Sequence, residues 1–150
     1  MLIGHFTEQP WQDDSSGLMG TQSTDLSISN EYYNPQVGSK LYNRYLDEKV
    51  YAEEMGYDSV WFSEHHFRPV WSHNSAPDLT LAAVSQRTTK IRLGVGVVLA
   101  PIHHPLHTAA RMATLDILSN GRVDVGRGLG LDPPGRVDNQ QRPLTGRQAP

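Results

Sequence analysis

Cysteine is absent from this 150-residue chain, and so is any strong excess of charge of one sign. Without a thiol the chain offers no disulfide framework, no cysteine-ligated zinc, no iron–sulfur cluster and no thiolate nucleophile. Its 13 lysines and arginines face 16 aspartates and glutamates, whereas nucleic-acid-binding domains usually carry a clear basic excess. We therefore expect no nucleic-acid partner.

Long hydrophobic runs are also missing. No stretch of the sequence approaches the ~20 apolar residues that are needed to cross a bilayer, so we expect no membrane partner. The first residues, Met1 to Phe6, lack the basic start and the long apolar run that are typical of a signal peptide. These absences predict a soluble cytoplasmic protein with one domain of ordinary size.

The patterned part of the chain alternates between predicted strands and predicted helices. Apolar runs predict strands over residues 2–6, 58–63, 91–99 and 122–125, and helical spacing predicts helices over residues 41–55, 77–88 and 105–119. The apolar side of the last helix is expected to comprise Leu106, Ala110, Ala113 and Ile117. Strands that alternate with helices indicate right-handed βαβ units, and hence an α/β fold with a parallel sheet.

Two segments do not follow this pattern. Residues 7–39 are rich in Ser, Asn, Asp, Gln, Gly and Pro but contain aromatic residues, which predicts a long ordered loop that could cover a site. Residues 131–150 contain four prolines and three arginines with no aromatic residue, which predicts a disordered or poorly packed tail. The expected organisation is therefore a domain over residues 1–130 and a separate tail over residues 131–150.

The first candidate site follows the second predicted strand, where Glu64, His65 and His66 are consecutive. The carboxyl ends of parallel strands collect catalytic groups, and imidazoles beside a carboxylate suit acid–base work near neutral pH. The alternative is structural: Glu64 and His66 would fix the loop by hydrogen bonds, and His65 would be incidental.

Glycines mark two further candidates. Gly94 and Gly96 lie on one face of the third predicted strand, with Leu93, Val95 and Val97 on the other. A bare strand face could admit a flat ring, or it could simply relieve crowding inside a barrel. After the fourth strand, residues 126–130 combine three glycines with an arginine, which is typical of a phosphate-holding loop or of a simple turn.

A metal site is the weakest candidate. His103, His104 and His107 could join His65 and His66 as ligands, but the chain has no His-x-x-x-His helix with a catalytic glutamate. We therefore expect no metal site.

Several of these segments together resemble luciferase-like flavin-dependent monooxygenases. Residues 53–67 are similar to the second βα region of that family, residues 91–105 to its third strand, and residues 115–122 to the segment that leads into its fourth strand. Residues 3–8 and 43–48 are similar to members with a long first loop. The resemblance extends over residues 1 to 130.

The resemblance implies a (β/α)8 TIM-barrel fold that binds reduced FMN, or F420 in some branches, at the carboxyl ends of the strands. It implies oxidation of an aldehyde or another small organic substrate with O2, and a separate flavin reductase that supplies the reduced flavin. By the same resemblance, His65 is the catalytic acid–base group. For Glu64 we expect a supporting role, in which it orients either the loop or the imidazole. Gly94, Gly96 and Val97 would hold the flavin ring, with a cis peptide bond between Gly96 and Val97.

Arg127 and Gly128 would be the phosphate contacts, although the family usually places this arginine later, in a Gly-x-Gly-Arg-Gly pattern.

A full barrel needs ~250 residues, and this chain holds only about four βα units, so we expect a partial barrel. The change of composition near residue 130 suggests a truncated or frame-altered product. The alternatives to a flavin-dependent enzyme are a non-catalytic fragment or association module, and a His-ligated metallohydrolase. The chain could also form a homodimer.

Overall fold

The computed structural model describes residues 1–12, 31, 33–66 and 72–129. Its centre is a sheet of four strands in the order β1-β2-β3-β4, and each strand runs parallel to the next. The strands are β1 (Gly4–Thr7), β2 (Ser59–Phe62), β3 (Arg92–Leu99) and β4 (Val123–Gly128), and the helices are α1 (Pro35–Glu54), α2 (Pro77–Ser85) and α3 (Pro105–Ser119). The predicted α/β class with a parallel sheet is confirmed.

The core lies between one face of the sheet and the helices. Val60 and Phe62 of β2 and Leu93 and Val95 of β3 are fully buried. They form one cluster with apolar side chains from the three helices, among them Leu41, Tyr45, Leu81, Val84 and Leu115. Because side chains alternate along a strand, the residues between them point to the opposite face. There Phe6, Trp61 and Gly94 lie side by side in the register of the sheet.

The alternation changes near the end of β3. The register between β3 and β4 shifts between Val95 and Val98, and the cis peptide bond expected between Gly96 and Val97 is present there. Val98 rather than Val97 joins the core cluster. The expectation that Val97 continues the face of Leu93 and Val95 was therefore wrong, because strict alternation assumes a regular strand.

The apolar side predicted for α3 was also wrong. Leu106, Ala110, Ala113 and Ile117 are all exposed. The helix packs instead through Met112 and Leu115, with Ser119 buried at its end. Two stripes at helical spacing exist in this sequence, and the one that includes Met112 and Leu115 lies against the core.

Helix α1 begins earlier than predicted, at Pro35. The side chain of Asn34 caps it, because its Oδ1 accepts hydrogen bonds from the backbone N–H groups of Gln36 at 2.9 Å and Val37 at 3.3 Å. Such a cap satisfies N–H groups that have no partner inside the helix. The loop predicted over residues 7–39 therefore ends at residue 34, and its residues 13–30 and 32 lie outside the described part. The predicted tail over residues 131–150 lies outside it as well.

Polar side chains join the elements at the amino ends of β3 and β4. The guanidinium of Arg122 donates to Thr88 Oγ1 and to the carbonyls of Ser85, Thr88, Ile91 and Ser119, at 2.7 to 3.0 Å. The carboxylate of Glu53 accepts hydrogen bonds from the backbone N–H groups of residues 89, 90 and 91. Together these contacts fix the turn that leads from α2 into β3.

Lys49 is fully buried between α1 and the sheet. Its Nζ lies 2.8 Å from His5 Nδ1, donates to the carbonyl of Trp61 at 3.2 Å, and stands 4.5 Å from the centre of the Phe62 ring. Burial lowers the pKa of Lys49 from 10.5 to about 7, against a smaller raising effect of Glu48. The folded protein therefore binds this proton more weakly than the unfolded chain does.

Within the described residues, no helix combines the length and the apolar character that a membrane crossing requires.

We predict that the free energy of unfolding rises as pH increases from 7 towards 10. In that window Lys49 is largely neutral in the folded state, whose pKa is about 7, but still protonated in the unfolded chain, whose pKa is near 10.5. Because the unfolded chain then binds more protons, stability increases with pH, by at most about 1.4 kcal/mol per pH unit for one group. Chemical denaturation at several pH values measures this slope.

Lys49→Met should remove most of that slope. Lys40→Met, at an exposed position of the same helix, is the matched control and should leave it unchanged. An equal slope in the protein and in Lys49→Met would contradict the prediction.

Candidate functional site

Polar side chains collect where the parallel strands end. Glu8 follows β1, Ser63 to His66 follow β2, and His103 follows β3. The carboxyl ends of neighbouring parallel strands meet at one edge of a sheet, and this is where catalytic groups gather in such folds. The structure therefore places the predicted residues Glu64 and His65 at the same edge as Glu8 and His103. The sequence did not predict these last two residues for this edge.

Glu8 and His65 form a pair across the ends of β1 and β2. His65 Nε2 lies 2.8 Å from Glu8 Oε2, and the hydroxyl of Ser63 donates to the same oxygen at 2.5 Å. Burial raises the pKa of Glu8, but the hydrogen bonds from His65 and Ser63 outweigh it and bring that pKa below its ordinary value. An anionic carboxylate thus holds the imidazole of His65 in one orientation.

Glu64 connects the ends of β2 and β3. It is almost completely buried. Its Oε2 accepts the backbone N–H of Leu99 at 3.1 Å, while its Oε1 lies 2.8 Å from His66 Nε2 and 2.6 Å from His103 Nε2. Burial raises the pKa of Glu64, and hydrogen bonds from His66, Leu99 and His103 lower it further than burial raises it. Glu64 therefore contacts His66 and His103 directly, while His65 turns towards Glu8.

The same three residues are the group that could hold a metal ion in the described part of the chain. Ligand atoms of Glu64, His66 and His103 lie within 4.8 Å of one another. Two imidazole nitrogens and one carboxylate oxygen suit Zn²⁺ and similar ions. His104 and His107, which the sequence grouped with His103, instead contact each other edge to face, with their ring centres 5.3 Å apart. Oε1 of the carboxylate already lies within hydrogen-bond distance of Nε2 in both imidazoles.

The predicted glycine platform is only partly open. Trp61 of β2 lies over Gly94, and a Cβ atom at position 94 would overlap Cδ2 and Cε3 of the indole. A Cβ at Gly96 would instead make ordinary contacts, at 3.4 Å from Trp61 and 4.0 Å from Phe6. Gly94 thus admits a side chain of the protein itself, as the crowding alternative expected, and Gly96 keeps a bare face at the end of β3.

Arg127 and Gly128 lie in β4 rather than in the loop that the sequence predicted. A Cβ at Gly128 would come within 2.9 Å of Val97 Cγ2, so this glycine makes room for Val97. The side chain of Arg127 is exposed. Arg127 therefore offers a charged group beside the end of β3, whereas Gly128 has a packing role. Gly130, the last glycine of the predicted loop, lies outside the described residues.

Glu8 and His103 are the contributions that sequence reasoning missed. A charged residue directly after an apolar strand, as Glu8 is, was a usable signal, since it is the same signal that identified Glu64. His103 was considered only as a metal ligand, together with the neighbouring histidines, so its contact with Glu64 was not predicted.

We predict that Glu64→Gln lowers the free energy of unfolding at neutral pH by about 1.5–3 kcal/mol, which is typical of hydrogen bonds to a charged group. The pKa of Glu64 is lowered in the folded state, so its contribution is present above 4.5 and is lost as pH falls through the folded pKa. Glu64→Gln should therefore also reduce the loss of stability below pH 4.5. Denaturation at pH 7 and at several acidic values measures both effects.

Glu54→Gln is the matched control, because Glu54 is an exposed carboxylate near the end of α1. Equal effects of the two substitutions would contradict the structural role given to Glu64.

Comparison with known proteins gives a consistent picture. The profile of the family described as luciferase-like monooxygenase matches residues 27–142. Over 90 residues the chain is 41% identical to 4-hydroxyprotoasukamycin monooxygenase of Streptomyces nodosus subsp. asukaensis, with 60% of this chain and 24% of that protein covered. Over 93 residues it is 36% identical to the oxygenase component of the flavin-dependent trigonelline monooxygenase of Acinetobacter baylyi, with 61% and 25% covered.

A solved structure extends the likeness to the fold. The oxygenating constituent of 3,6-diketocamphane monooxygenase of Pseudomonas putida, a type II Baeyer–Villiger monooxygenase in complex with FMN, superposes with a TM-score of 0.70. The match covers 95% of this chain and 32% of that one, at 22% identity, and so concerns the fold alone. The chain spans about a quarter of the length of these two curated relatives.

Proposed function

Because the chain belongs to the luciferase-like monooxygenase family, we propose that it carries the amino-terminal part of a flavin-dependent monooxygenase site. The observation that carries this proposal is the Glu8–His65 pair, which lies at the carboxyl edge of the sheet. The relatives that match it are named as monooxygenases, and one of them as flavin-dependent.

We propose a partial (β/α)8 barrel, made of the first four βα units. Among the described residues, β1 and β4 each have a strand neighbour on one side only. In a closed eight-stranded barrel each of these strands would have a second neighbour, and Phe6, Trp61 and Gly94 would face the interior. The half-exposed ring of Phe6 fits such a position, because its remaining contacts would come from strands beyond β4.

The chain's own residues fit a flavin at three points. Gly96 has a bare face, Val97 follows it across the cis bond, and Arg127 offers an exposed guanidinium that suits a phosphate. We assign the ring to Gly96 and Val97 and the phosphate to Arg127, and give Gly94 and Gly128 a supporting role through the side chains they admit. When bound, reduced flavin supplies the electrons for the reduction of O2, while the protein contributes binding, orientation and the exclusion of water.

His65 is the acid–base group of this proposal. Its Nε2 faces Glu8 Oε2 at 2.8 Å, and the pKa of Glu8 lies below its ordinary value, so the carboxylate is anionic at neutral pH. The carboxylate holds the ring in one orientation, and an imidazole held in this way can take up a proton and return it. Glu64 holds the loop in which His65 stands, through its contacts with Leu99 and His103.

The substrate class we propose is an aldehyde or another small organic molecule, which is oxidised with O2. A separate flavin reductase is the expected partner, since one relative is named as the oxygenase component of its system. FMN is the preferred cofactor because the superposed structure contains FMN, and F420 is the alternative.

Two other functions rest on specific observations. The one-sided edges of β1 and β4, together with the exposed Leu106 and Ile117, favour an association module without catalysis. The group formed by Glu64, His66 and His103 favours a metallohydrolase. A protein that stays colourless with flavin and dimerises supports the first, and stoichiometric Zn²⁺ or Mn²⁺ in elemental analysis supports the second.

We predict that the chain binds reduced FMN in anaerobic titration and consumes O2 when oxygen is admitted. His65→Ala should slow the oxidation step by about 100-fold or more, which is the usual contribution of an acid–base group. It should leave the dissociation constant of reduced FMN nearly unchanged. Anaerobic fluorescence titration and stopped-flow absorbance measure the two quantities separately.

His107→Ala is the control, because His107 is exposed at the start of α3. A parallel loss of flavin binding and of oxidation in His65→Ala would assign His65 a structural role, and failure of the protein to bind either FMN or F420 would refute the proposed function.

We also predict that Arg127→Ala weakens the binding of FMN by about tenfold, because a charge-assisted contact to the phosphate is lost. Riboflavin has the same ring without the phosphate, so its dissociation constant should be the same for the protein and the variant. Equal weakening of FMN and riboflavin would show that Arg127 does not contact the phosphate.

A further inference from the structure

A small cavity lies between α2, α3 and the end of β3. Asp78 of α2, Arg111 of α3 and Val98 of β3 line it, together with Glu64 and His103 from the loops at the ends of β2 and β3. The cavity is therefore on the helix side of the sheet, away from the bare face that we assign to the flavin ring. Its volume of about 20 Å³ exceeds the ~10–15 Å³ that one water molecule requires.

The cavity adjoins a group of three metal-ligating side chains. Ligand atoms of Glu64, His66 and His103 lie within 4.8 Å of one another, and Glu64 and His103 also line the cavity. These ligands come from the ends of two strands rather than from one helix, so the missing His-x-x-x-His motif does not exclude them. A water molecule in the cavity therefore lies beside a carboxylate and an imidazole that can bind the same ion.

Glu64 is held in the way that a metal-binding carboxylate usually is. Its Oε2 accepts the backbone N–H of Leu99 at 3.1 Å, and its Oε1 lies 2.8 Å from His66 Nε2 and 2.6 Å from His103 Nε2. Supporting hydrogen bonds of this kind orient metal ligands. Tetrahedral Zn²⁺, with bonds of ~2.0–2.2 Å, separates its ligand atoms by roughly 3.3 Å, so each imidazole needs to move by only about 0.5–0.7 Å to admit the ion.

The charges around the cavity are compatible with a cation. Arg111 lines the cavity, but its guanidinium donates to both carboxylate oxygens of Asp78, at 2.5 and 2.6 Å. Its charge is paired and does not oppose an ion bound to Glu64. His66 and His103 are partly exposed, which gives an ion a path from solvent. Two imidazole nitrogens and one carboxylate oxygen favour Zn²⁺ over Mg²⁺ or Ca²⁺, which prefer oxygen ligands.

We infer that Glu64, His66 and His103 form a Zn²⁺ site whose fourth ligand is a water molecule in the cavity between α2 and α3. Three protein ligands and one water make an open tetrahedral site. A bound ion joins the loop after β2, which carries His65, to the loop after β3. The inference goes beyond the proposed flavin function because it concerns the other side of the sheet. Unlike the metallohydrolase alternative, it requires no reaction at the ion.

Calorimetric titration of the whole chain with Zn²⁺, after a chelator has removed any metal, tests the inference. We expect a single saturable site per chain and no competition from a large excess of Mg²⁺. Co²⁺ in place of Zn²⁺ should give the strong visible absorption of tetrahedral coordination. Imidazoles that are only hydrogen-bonded to the carboxylate cannot produce that absorption.

Variants locate the ion. His103→Ala removes one ligand and should weaken Zn²⁺ binding by at least about 100-fold, since the loss of a supporting contact alone costs ~10–100-fold. His107→Ala is the matched control, because it disrupts the neighbouring His104–His107 contact and leaves the three ligands intact. It should leave the dissociation constant unchanged. His66→Ala is the second ligand variant, in case His103→Ala does not fold, and should cause a similar loss.

Four results would overturn the inference: no saturable uptake of Zn²⁺, undiminished binding in the folded ligand variants, loss of binding in His107→Ala, or the weak Co²⁺ absorption of octahedral coordination. The third result would place the ion at the surface pair instead. Failure of the proposed function would appear elsewhere, in the anaerobic FMN titration without Zn²⁺, so the two outcomes are distinguishable.

Discussion

The arrangement of the site depends on one buried carboxylate. Glu64 follows β2, yet its oxygens accept the backbone N–H of Leu99 at the end of β3 and face the imidazoles of His66 and His103. A buried anion is tolerated only where such donors surround it, since the same group without partners would be costly. The loops after β2 and β3 are therefore held by one contact set, and His65, between Glu64 and His66 in sequence, is turned to the other side, towards Glu8.

Much of the fold followed from the sequence because the core-facing residues repeat at clear periods. Alternating strands and helices predicted the parallel sheet. Every predicted strand and helix is present, α3 over its predicted range and the others with shifted ends. The ends shifted for local reasons, such as the cap that Asn34 provides to α1. For the site, a charged and histidine-rich stretch directly after a strand identified Glu64 and His65, because parallel topology alone brings strand ends to one edge.

Other features depend on contacts between residues that are distant in sequence. The spacing of apolar residues within one element does not predict such contacts. The partner of His65 is Glu8, 57 positions away in sequence by residue number, and the space beside Gly94 is filled by Trp61 from the neighbouring strand. The packed side of α3 could not be predicted either, because two apolar stripes were available and the choice between them depends on what faces the helix. Glycine patterns likewise do not distinguish a position where a Cβ would make only ordinary contacts, as at Gly96, from one that leaves room for a neighbouring side chain, as at Gly94.

The two consecutive residues that follow β1, Glu8 and Gln9, make contacts of different kinds. Glu8 reaches across to Ser63 and His65, where its charge is paired, and the carbonyl of the next residue, Gln9, accepts the backbone N–H of His73. Gln9 has a left-handed backbone conformation where these two contacts meet. The paired carboxylate of Glu8 therefore lies next in sequence to the buried, uncharged side chain of Gln9, and the two side chains have different surroundings at one strand end.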